Sequence, residues 1–180
     1  MSTPSFTFRR ATFDDVPTLR ELIAASVRGL ASGDYTEPQI EAALVSAFAV
    51  DSQLIADGTY FVAEAGAVIV GCGGWSCRKT LFGGDSQVGR EAGLLDPGTE
   101  AARIRAFFVH PAWARHGIGR ALLERCEQKA RRAGFRATSL MATLPGHRLY
   151  KAAGYCGDER VTHRLAGDID IEFVPMRKEL

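Results

Sequence analysis

The chain has 180 residues and a formal net charge of +1, with 46% hydrophobic and 24% charged residues. This length and composition are typical of one globular domain that buries its core without disulfides or metals. The charge gives no support for a nucleic-acid or membrane-surface role, and every apolar run is far shorter than the roughly 20 residues that span a bilayer. The first residues lack a secretory signal pattern and the 4 cysteines form no C-x-x-C pair, so we expect a reduced, cytoplasmic setting.

The first third of the chain predicts one strand, two helices and a hairpin. Residues 6–10 alternate enough to form the strand. Asp14 and Asp15 stand before a proline, which predicts a helix with an aspartate cap. Thr36 predicts the cap of a second helix that runs to Phe48. The predicted hairpin strands are residues 60–63 and 67–71.

The second half of the chain predicts a strand and helix pattern that ends in two strands. An apolar strand ends at Val109, and a helix runs from Ile118 to about Arg132, where Gly134 is a stop signal. Further predicted elements are a strand at 136–142, a short helix at 145–153 and strands near 159–165 and 169–176. The order βααβββαβαββ, without an internal repeat or linker, predicts a single α/β domain over residues 1–180.

The junction between the fourth strand and the third helix carries the strongest functional signal. Gly117 and Gly119 stand one residue apart where the helix begins. A helix start presents backbone N–H groups without intrahelical partners, and the helix dipole adds partial positive charge there. Glycines also let a ligand approach the main chain closely. The junction therefore predicts a pyrophosphate-binding loop over residues 115–120.

Other glycine-rich phosphate loops fit this junction poorly. A P-loop needs Gly-Lys-Ser/Thr, whereas Arg120 and Ala121 follow Gly119 here. A dinucleotide-binding fingerprint places its glycines directly after the first strand and needs a third glycine, but Leu122 stands at that position. A turn that serves only chain reversal is the remaining alternative.

Two segments of the chain resemble motifs of the GCN5-related N-acetyltransferase (GNAT) family. The junction resembles that family's acyl-CoA pyrophosphate loop, Arg/Gln-x-x-Gly-x-Gly/Ala, although Ala114 stands at the first position and the arginine is Arg115. Downstream, Leu149-Tyr150-Lys151-Ala152-Ala153-Gly154-Tyr155 resembles the family's Leu-Tyr-x-x-x-Gly-Phe/Tyr segment. Tyr150 follows Gly117 by 33 positions, which is the separation that the family requires. Both motifs in this order are far more specific than a lone Gly-x-Gly.

The resemblance implies the acyl-CoA N-acyltransferase (GNAT) fold, a single domain with a mixed, mostly antiparallel sheet flanked by helices. In that fold the third and fourth strands usually form a tight hairpin. Residues 76–101 are rich in loop signals, such as Gly83-Gly84-Asp85, so we interpret them as an insertion. Two interpretations of this insertion stay open, a segment that borders the acceptor site and a solvated excursion that covers a sheet edge.

The resemblance also implies acetyl-CoA as the acyl donor co-substrate. Backbone amides of the loop would hold the pyrophosphate, and the end of the fourth strand would pair with the pantetheine arm. Arg115 and Arg120 are the candidates to replace the arginine missing at Ala114, and Thr143 stands nearest to an asparagine that the family often carries. The implied cofactor-binding residues are Phe107, Phe108, Val109, Arg115, His116, Gly117, Ile118, Gly119, Arg120 and Thr143.

Tyr150 is the implied catalytic residue, because in the family a tyrosine at this position often protonates the leaving thiolate. Its alternative is an aromatic side chain packed in the core. Backbone N–H groups near Phe108 and Val109 are candidates to stabilise negative charge on the thioester carbonyl. The base that deprotonates the amine stays open, with a water chain or one of three carboxylates as candidates. Those carboxylates are Glu64, Asp85 and Glu91.

The predicted function is therefore transfer of an acetyl group from acetyl-CoA to a primary amine, by direct attack in a ternary complex. Two alternatives keep the fold, a non-catalytic acyl-CoA sensor and a structural subunit whose loop binds no nucleotide. The acceptor is expected to be a small-molecule or peptide amine, with no nucleic-acid or membrane partner, and a homodimer stays open. The 4 histidines show no metal-ligand spacing, so no metal is assigned. Cys72 and Cys77 are interpreted as small buried hydrophobic residues.

Overall fold

A computed structural model describes residues 5–81, 84–85 and 93–180 of the chain. The strands are β1 (Thr7–Arg10), β2 (Tyr60–Ala65), β3 (Val68–Ser76), β4 (Ala102–Val109), β5 (Ala137–Thr143), β6 (Val161–Arg164) and β7 (Asp170–Glu179). The helices are α1 (Val16–Leu30), α2 (Glu37–Leu44), α3 (Ser52–Ala56), α4 (Ile118–Arg132) and α5 (His147–Ala152). Within these ranges, each helix is too short or too polar to cross a bilayer.

The start of α1 differs from the predicted aspartate cap. Asp15 precedes the helix, but its carboxylate accepts a hydrogen bond from the backbone N–H of Thr12 at 2.7 Å. The same carboxylate pairs with the Arg9 guanidinium at 2.7 Å, which lowers the pKa of Asp15 to about 2. Asp15 therefore closes the turn before the helix and ties α1 to β1, while Pro17 occupies the first turn of α1 as predicted.

Helix α2 begins as predicted and ends earlier. Thr36 caps it, with its side chain accepting from the Gln39 N–H. The helix ends at Leu44 instead of Phe48, because the chain turns and carries the Phe48 ring into the core. That ring packs edge-on against Phe108 at 6.1 Å and Phe173 at 6.0 Å. Burial of the aromatic ring outweighs one more turn of helix.

The sheet has the order β1-β2-β3-β4-β5-β7-β6, and all neighbours are antiparallel except β4 and β5. The parallel pair holds only at its beginning, where Ala102 faces Thr138 and Arg103 faces Ser139. Beyond these two residue pairs the strands are no longer bonded to each other. The sheet therefore opens between the ends of β4 and β5, and this opening positions the candidate site.

Hydrophobic side chains cover both faces of the sheet. Helices α1 to α3 pack on one face, in a cluster that includes Leu19, Tyr60 and Phe173. Helix α4 packs on the other face, where Leu122 and Cys126 are fully buried. The mixed, mostly antiparallel sheet flanked by helices confirms the predicted fold class.

The predicted insertion at 76–101 is described only in part. Beyond β3, Arg78 pairs with Leu94 in an antiparallel bridge. Asp85 accepts hydrogen bonds from the Ser52 N–H at 2.9 Å and the Ser52 hydroxyl at 2.8 Å, at the start of α3. Glu91 lies outside the described residues, and the insertion as a whole stays a prediction.

Candidate functional site

A cavity of about 720 Å³ lies where β4 and β5 separate. Phe107 and Tyr150 line it from the α4 face of the sheet, and Phe108 and Phe48 line it from the α1 face. The cavity therefore passes between the strands, as a cleft with two mouths. One, the loop mouth, is formed by residues 113–115 and 117–120 with Arg148. The other, the apolar mouth, is formed by Leu30, Phe48, Leu81 and Phe173.

The backbone of the loop mouth presents a run of free donors. Gly117 precedes α4 with a φ of +84°, and Arg115 has a φ of +67°. Ala121 is the first residue to donate within the helix, to the Gly117 carbonyl at 3.0 Å. In the part of the chain that the structure describes, no acceptor takes the N–H groups of residues 115–120. These donors stand at the positive end of a 15-residue helix, so the geometry suits an anion.

Arginine side chains surround this run of donors. Arg115 is exposed and, within the described ranges, has no ion-pair partner. Arg120 instead pairs with Glu124, one turn along α4, at 3.0 Å. Arg148, which the sequence analysis did not select, also lines the cleft. The sequence signal that could have identified Arg148 is its position directly before Leu149-Tyr150. Arg115 and Arg148 therefore add positive charge where a pyrophosphate would lie.

Strand β4 carries a bulge at the centre of the cleft. Cys72 pairs with Phe108 and Gly74 pairs with Arg105, so both Ala106 and Phe107 lie opposite Gly73. Ala106 has a φ of +57°, in the left-handed region that side chains rarely adopt. A Cβ atom at Gly73 would lie 2.7 Å from the Phe107 ring, so the bulge requires glycine there. The bulge re-aims the main chain of β4 toward the opening.

The main-chain N–H of Val109 faces the opening. The N–H of the next residue, His110, donates to the Val70 carbonyl on β3 at 2.9 Å. Because successive N–H groups of a strand point in opposite directions, the Val109 N–H points away from β3. The Val109 N–H donates to the Ser26 hydroxyl of α1 at 3.2 Å. By the same alternation, the Phe108 N–H faces β3. Of the two amides considered for the thioester carbonyl, the structure places that of Val109 in the cleft.

Tyr150 lies at the middle of the cleft wall. Its ring contacts those of Phe107 and Tyr155, with centroids 6.3 and 5.8 Å away, and the residue is 8% exposed. Burial raises the pKa of Tyr150 well above its ordinary value. None of the described residues hydrogen-bonds to its hydroxyl group. The hydroxyl of Tyr155, in contrast, is bonded to Thr138 at 2.8 Å. Tyr150 thus keeps a neutral phenol whose proton is available to a ligand.

Thr143 and Tyr35 shape the wall beside Tyr150. The Thr143 hydroxyl accepts from the Gly146 N–H at 3.2 Å, and Thr143 lines the cleft. The Tyr35 hydroxyl donates to the Glu172 carbonyl at 2.7 Å and accepts from the Leu144 N–H at 2.9 Å. Burial raises the pKa of Tyr35 to about 12. Tyr35 therefore fixes the connection between α1 and α2 against the ends of β5 and β7.

The structure gives other partners to two of the three candidate bases. Glu64 pairs with Arg9 at 2.9 Å on β2, and Asp85 holds the start of α3. Glu91 lies outside the described residues. Asp34, in the connection between α1 and α2, is the one residue with a carboxylate among the described residues that line the cleft. No motif in the sequence had marked Asp34 as a site residue.

Buried polar groups lie beneath the bulge. Arg105 pairs with Asp51 at 2.9 Å, and both side chains are almost fully buried. The Tyr60 hydroxyl lies 3.3 Å from the Ala106 carbonyl oxygen and 3.2 Å from the Cys72 sulfur. Burial raises the pKa of Cys72 to about 12, so its thiol stays protonated and is a poor nucleophile. Among the described residues, no cluster of three potential metal ligands occurs.

Comparison with known proteins identifies relatives of this fold. The model of the acetyltransferase (GNAT) family matches residues 24–155. A GCN5-related N-acetyltransferase from Rhodopseudomonas palustris is 23% identical, with a TM-score of 0.74 over 100% of this chain and 98% of that one. The comparison with curated proteins gives no match.

Two further solved structures contain the expected donor or its product. PaiA N-acetyltransferase from Thermoplasma acidophilum, in complex with coenzyme A, is 16% identical, with a TM-score of 0.67 over 98% of this chain and 99% of that one. A putative acetyltransferase from Salmonella typhimurium, with its cofactor acetyl-CoA, is 18% identical, with a TM-score of 0.62 over 97% of this chain and 94% of that one. Identities this low show a shared fold.

Proposed function

The chain belongs to the acetyltransferase (GNAT) family, and we propose that it transfers the acetyl group of acetyl-CoA to a primary amine by direct attack in a ternary complex. The observation that carries this proposal is the run of free N–H groups at residues 115–120, which opens into a cleft that leads to Tyr150. Two structures of the same fold hold coenzyme A or acetyl-CoA, which supports this donor.

The residues of the loop mouth fit the donor's phosphates. The N–H groups of residues 115–120, from Arg115 through His116, Gly117, Ile118 and Gly119 to Arg120, would bind the pyrophosphate, and Arg115 and Arg148 would offset its charge. The unpaired edge of β4 at Phe107 and Val109 would bind the amide groups of the pantetheine arm, as an added strand does. Phe108 and Thr143 would contribute contacts along the walls.

The chain's own groups then account for the chemistry once the donor supplies a thioester. The Val109 N–H, which now contacts Ser26, would donate to the carbonyl oxygen as negative charge develops there. The Tyr150 hydroxyl would donate a proton to the sulfur as it leaves. Because burial raises the pKa of Tyr150, that proton is retained throughout the neutral range. The base for the amine stays unassigned, since Glu64 and Asp85 are engaged elsewhere.

The proposal is tested by thiol release from acetyl-CoA in the presence of a panel of primary amines. We expect thiol release that depends on the amine, and a kcat lowered by about 100-fold in Tyr150→Phe near neutral pH. The defect should shrink above about pH 8.5, where the thiolate leaves without a proton. Tyr155→Phe is the matched control, because it removes a neighbouring phenol that is bonded to Thr138, and its kcat should stay close to wild type.

Each outcome separates the competing functions. Coenzyme A binding without amine-dependent thiol release would favour an acyl-CoA sensor. A chain that binds no coenzyme A at all would favour a structural subunit. Equal kcat values for Tyr150→Phe and wild type at neutral pH would remove Tyr150 as the proton donor while leaving the transfer reaction in place.

A further inference from the structure

We propose that the acceptor is a small primary amine with an apolar body, aromatic or branched aliphatic, and without a carboxylate. This inference rests on the proposed function, since it concerns the second substrate of the same cleft. The loop mouth is assigned to the donor's phosphates, and the donor's arm follows β4 inward. The acceptor must then reach the thioester from the other side of the sheet, through the apolar mouth.

The walls of the apolar mouth are hydrocarbon. Phe48 and Phe173 form its floor, edge-on to each other at 6.0 Å. Leu30 and Leu81 stand at its rim and are 40% and 44% exposed. Both are large hydrophobic side chains that face the cleft and leave apolar surface in water. An apolar ligand body would cover this surface, and removal of apolar area from water is favourable.

Apart from Asp34, the polar side chains nearest this mouth, Tyr35 and Arg105, are already engaged. The Tyr35 hydroxyl is bonded to Glu172 and Leu144, and Arg105 pairs with Asp51. A sugar or another polyhydroxylated acceptor would lose hydrogen bonds to water without replacing them. The mouth therefore selects against acceptors with a polar body.

The charge at this mouth favours a cation and opposes an anion. Asp34 is exposed in the connection between α1 and α2, and it supplies the carboxylate among the described lining residues. Among the arginines that line the cleft, Arg115 and Arg148 have no ion-pair partner in the described ranges, and they lie at the opposite mouth. A free amine arrives as a cation and is attracted by Asp34, whereas the carboxylate of an amino acid is repelled.

The volume of the cleft limits the size of the acceptor. Its 720 Å³ must hold the donor's arm as well as the acceptor body. Ligand cavities of about 300 to 1,000 Å³ typically enclose single small molecules. The space left beside the arm suits a body the size of a phenyl or branched alkyl group.

The decisive experiment compares matched amines at a fixed, saturating concentration of acetyl-CoA. 2-Phenylethylamine carries the apolar body alone, L-phenylalanine adds a carboxylate to it, and glucosamine replaces it with a polar ring. We expect kcat/KM for 2-phenylethylamine to exceed that for each of the other two by at least about tenfold, measured by thiol release. A peptide that begins with phenylalanine should be a poorer acceptor than 2-phenylethylamine.

Two variants connect this selectivity to the mouth. Leu30→Asn should lower kcat/KM for 2-phenylethylamine about fivefold or more and change that for glucosamine little, because only the apolar body loses its contact. Val45→Asn is the matched control, since Val45 is also an exposed apolar residue at a helix end but does not line the cleft. Asp34→Asn should bring kcat/KM for 2-phenylethylamine and L-phenylalanine closer together, because it removes the carboxylate that attracts the amine and repels the amino acid.

A binding measurement separates this inference from the proposed function. In the complex with coenzyme A, 2-phenylethylamine should raise Tm further and glucosamine should not. That result without any turnover would retain the apolar acceptor site and overturn acetyl transfer. Turnover that prefers glucosamine, L-phenylalanine or the peptide would overturn the apolar small amine and retain the transfer. Equal Tm shifts with 2-phenylethylamine and glucosamine would also overturn the apolar acceptor site.

Discussion

Gly117 and Gly119 serve the candidate pyrophosphate loop in two different ways. At Gly117 the φ of +84° demands glycine, while a Cβ atom there would meet nothing within 4 Å. At Gly119 the backbone is helical, and a Cβ atom would lie 3.1 Å from a methyl carbon of Leu149 inside the cleft. The first glycine therefore sets the direction of the N–H groups, and the second keeps the helix start close to α5.

A matched pair of variants separates strain from ligand binding at Gly117. Gly117→Ala should lower the free energy of unfolding by about 1 kcal/mol, because an L-residue is forced into the left-handed region. It should also weaken coenzyme A binding about tenfold, since a turned backbone no longer aims its N–H groups at one point. Unfolding in urea and calorimetric titration measure the two effects.

Gly66→Ala is the control for that strain. Gly66 has a φ of +62° in the turn between β2 and β3, and a Cβ atom there would also meet nothing within 4 Å. This variant should lose similar stability and bind coenzyme A like wild type. Equal affinities in Gly117→Ala and Gly66→Ala would contradict the role of the loop.

Among single elements, the bulge of β4 has the most direct consequence for the reaction. It sets Phe107 and Val109 against the opening, and the buried Tyr60 hydroxyl supports the Ala106 carbonyl from below. The left-handed backbone of Ala106 is strained, so the bulge persists only where its surroundings hold it. Tyr60 is fully buried on β2 and bonds to the β4 main chain through that carbonyl, so we expect it to act as a positioning residue.

Tyr60→Phe tests this support. Loss of the hydroxyl should lower the free energy of unfolding by about 1 kcal/mol, because the Ala106 carbonyl then keeps only the weak Cys72 thiol donor, at 3.7 Å. It should also lower kcat about tenfold through a small displacement of the β4 main chain. The affinity for coenzyme A should fall much less than in Gly117→Ala, since the N–H groups of residues 115–120 are not disturbed. Titration of the ligand and steady-state kinetics separate these quantities.

Tyr155→Phe again provides the comparison, because it removes an equally buried hydroxyl bond, to Thr138, away from the bulge. It should lose similar stability with kcat retained. A kcat in Tyr60→Phe no lower than in Tyr155→Phe would show that the bulge does not depend on the Tyr60 hydroxyl.

Elements were predictable where their signals are local. The cap at Thr36, the stop at Gly134 and the span of α4 were confirmed, because each depends on residues within a few positions. Helix α3 was missed. It has only 5 residues, too few to show periodicity, and its start is held by Asp85, which is 33 positions away in the chain.

At the scale of the whole molecule, the cleft itself is a tertiary property. The sequence predicted the loop at 115–120 and the position of Tyr150, since both are short motifs. It could not predict that β4 and β5 part after two residue pairs, which is what joins those motifs in one cavity. Ser26 and Asp34 reach the cleft from α1 and the connection after it, far from both motifs in the chain, and no local pattern marks them.

The opening also divides the sheet into β1–β4 and β5–β7, joined along β4 and β5 by only two residue pairs. A donor that binds main chain on β4, the loop before α4 and the walls from β5 and α5 would bridge these halves. Binding to the native state alone must then stabilise the chain as a whole. At 100 times Kd this stabilisation is about 2.7 kcal/mol, which for a chain of this size raises Tm by about 5 to 10 °C.

A comparison with pantetheine separates the contribution of the phosphates to the Tm shift from that of the pantetheine arm. It carries the arm of coenzyme A without the pyrophosphate, so at the same concentration it should raise Tm much less, and thermal unfolding measures both shifts. The shift with coenzyme A should also decrease as salt is raised from about 0.05 to 0.5 M, because Arg115 and Arg148 are screened at the surface. Equal shifts with coenzyme A and pantetheine, insensitive to salt, would mean that the N–H groups of residues 115–120 do not hold phosphate. The donor's affinity would then reside in the contacts of β4, and the loop would serve chain reversal alone.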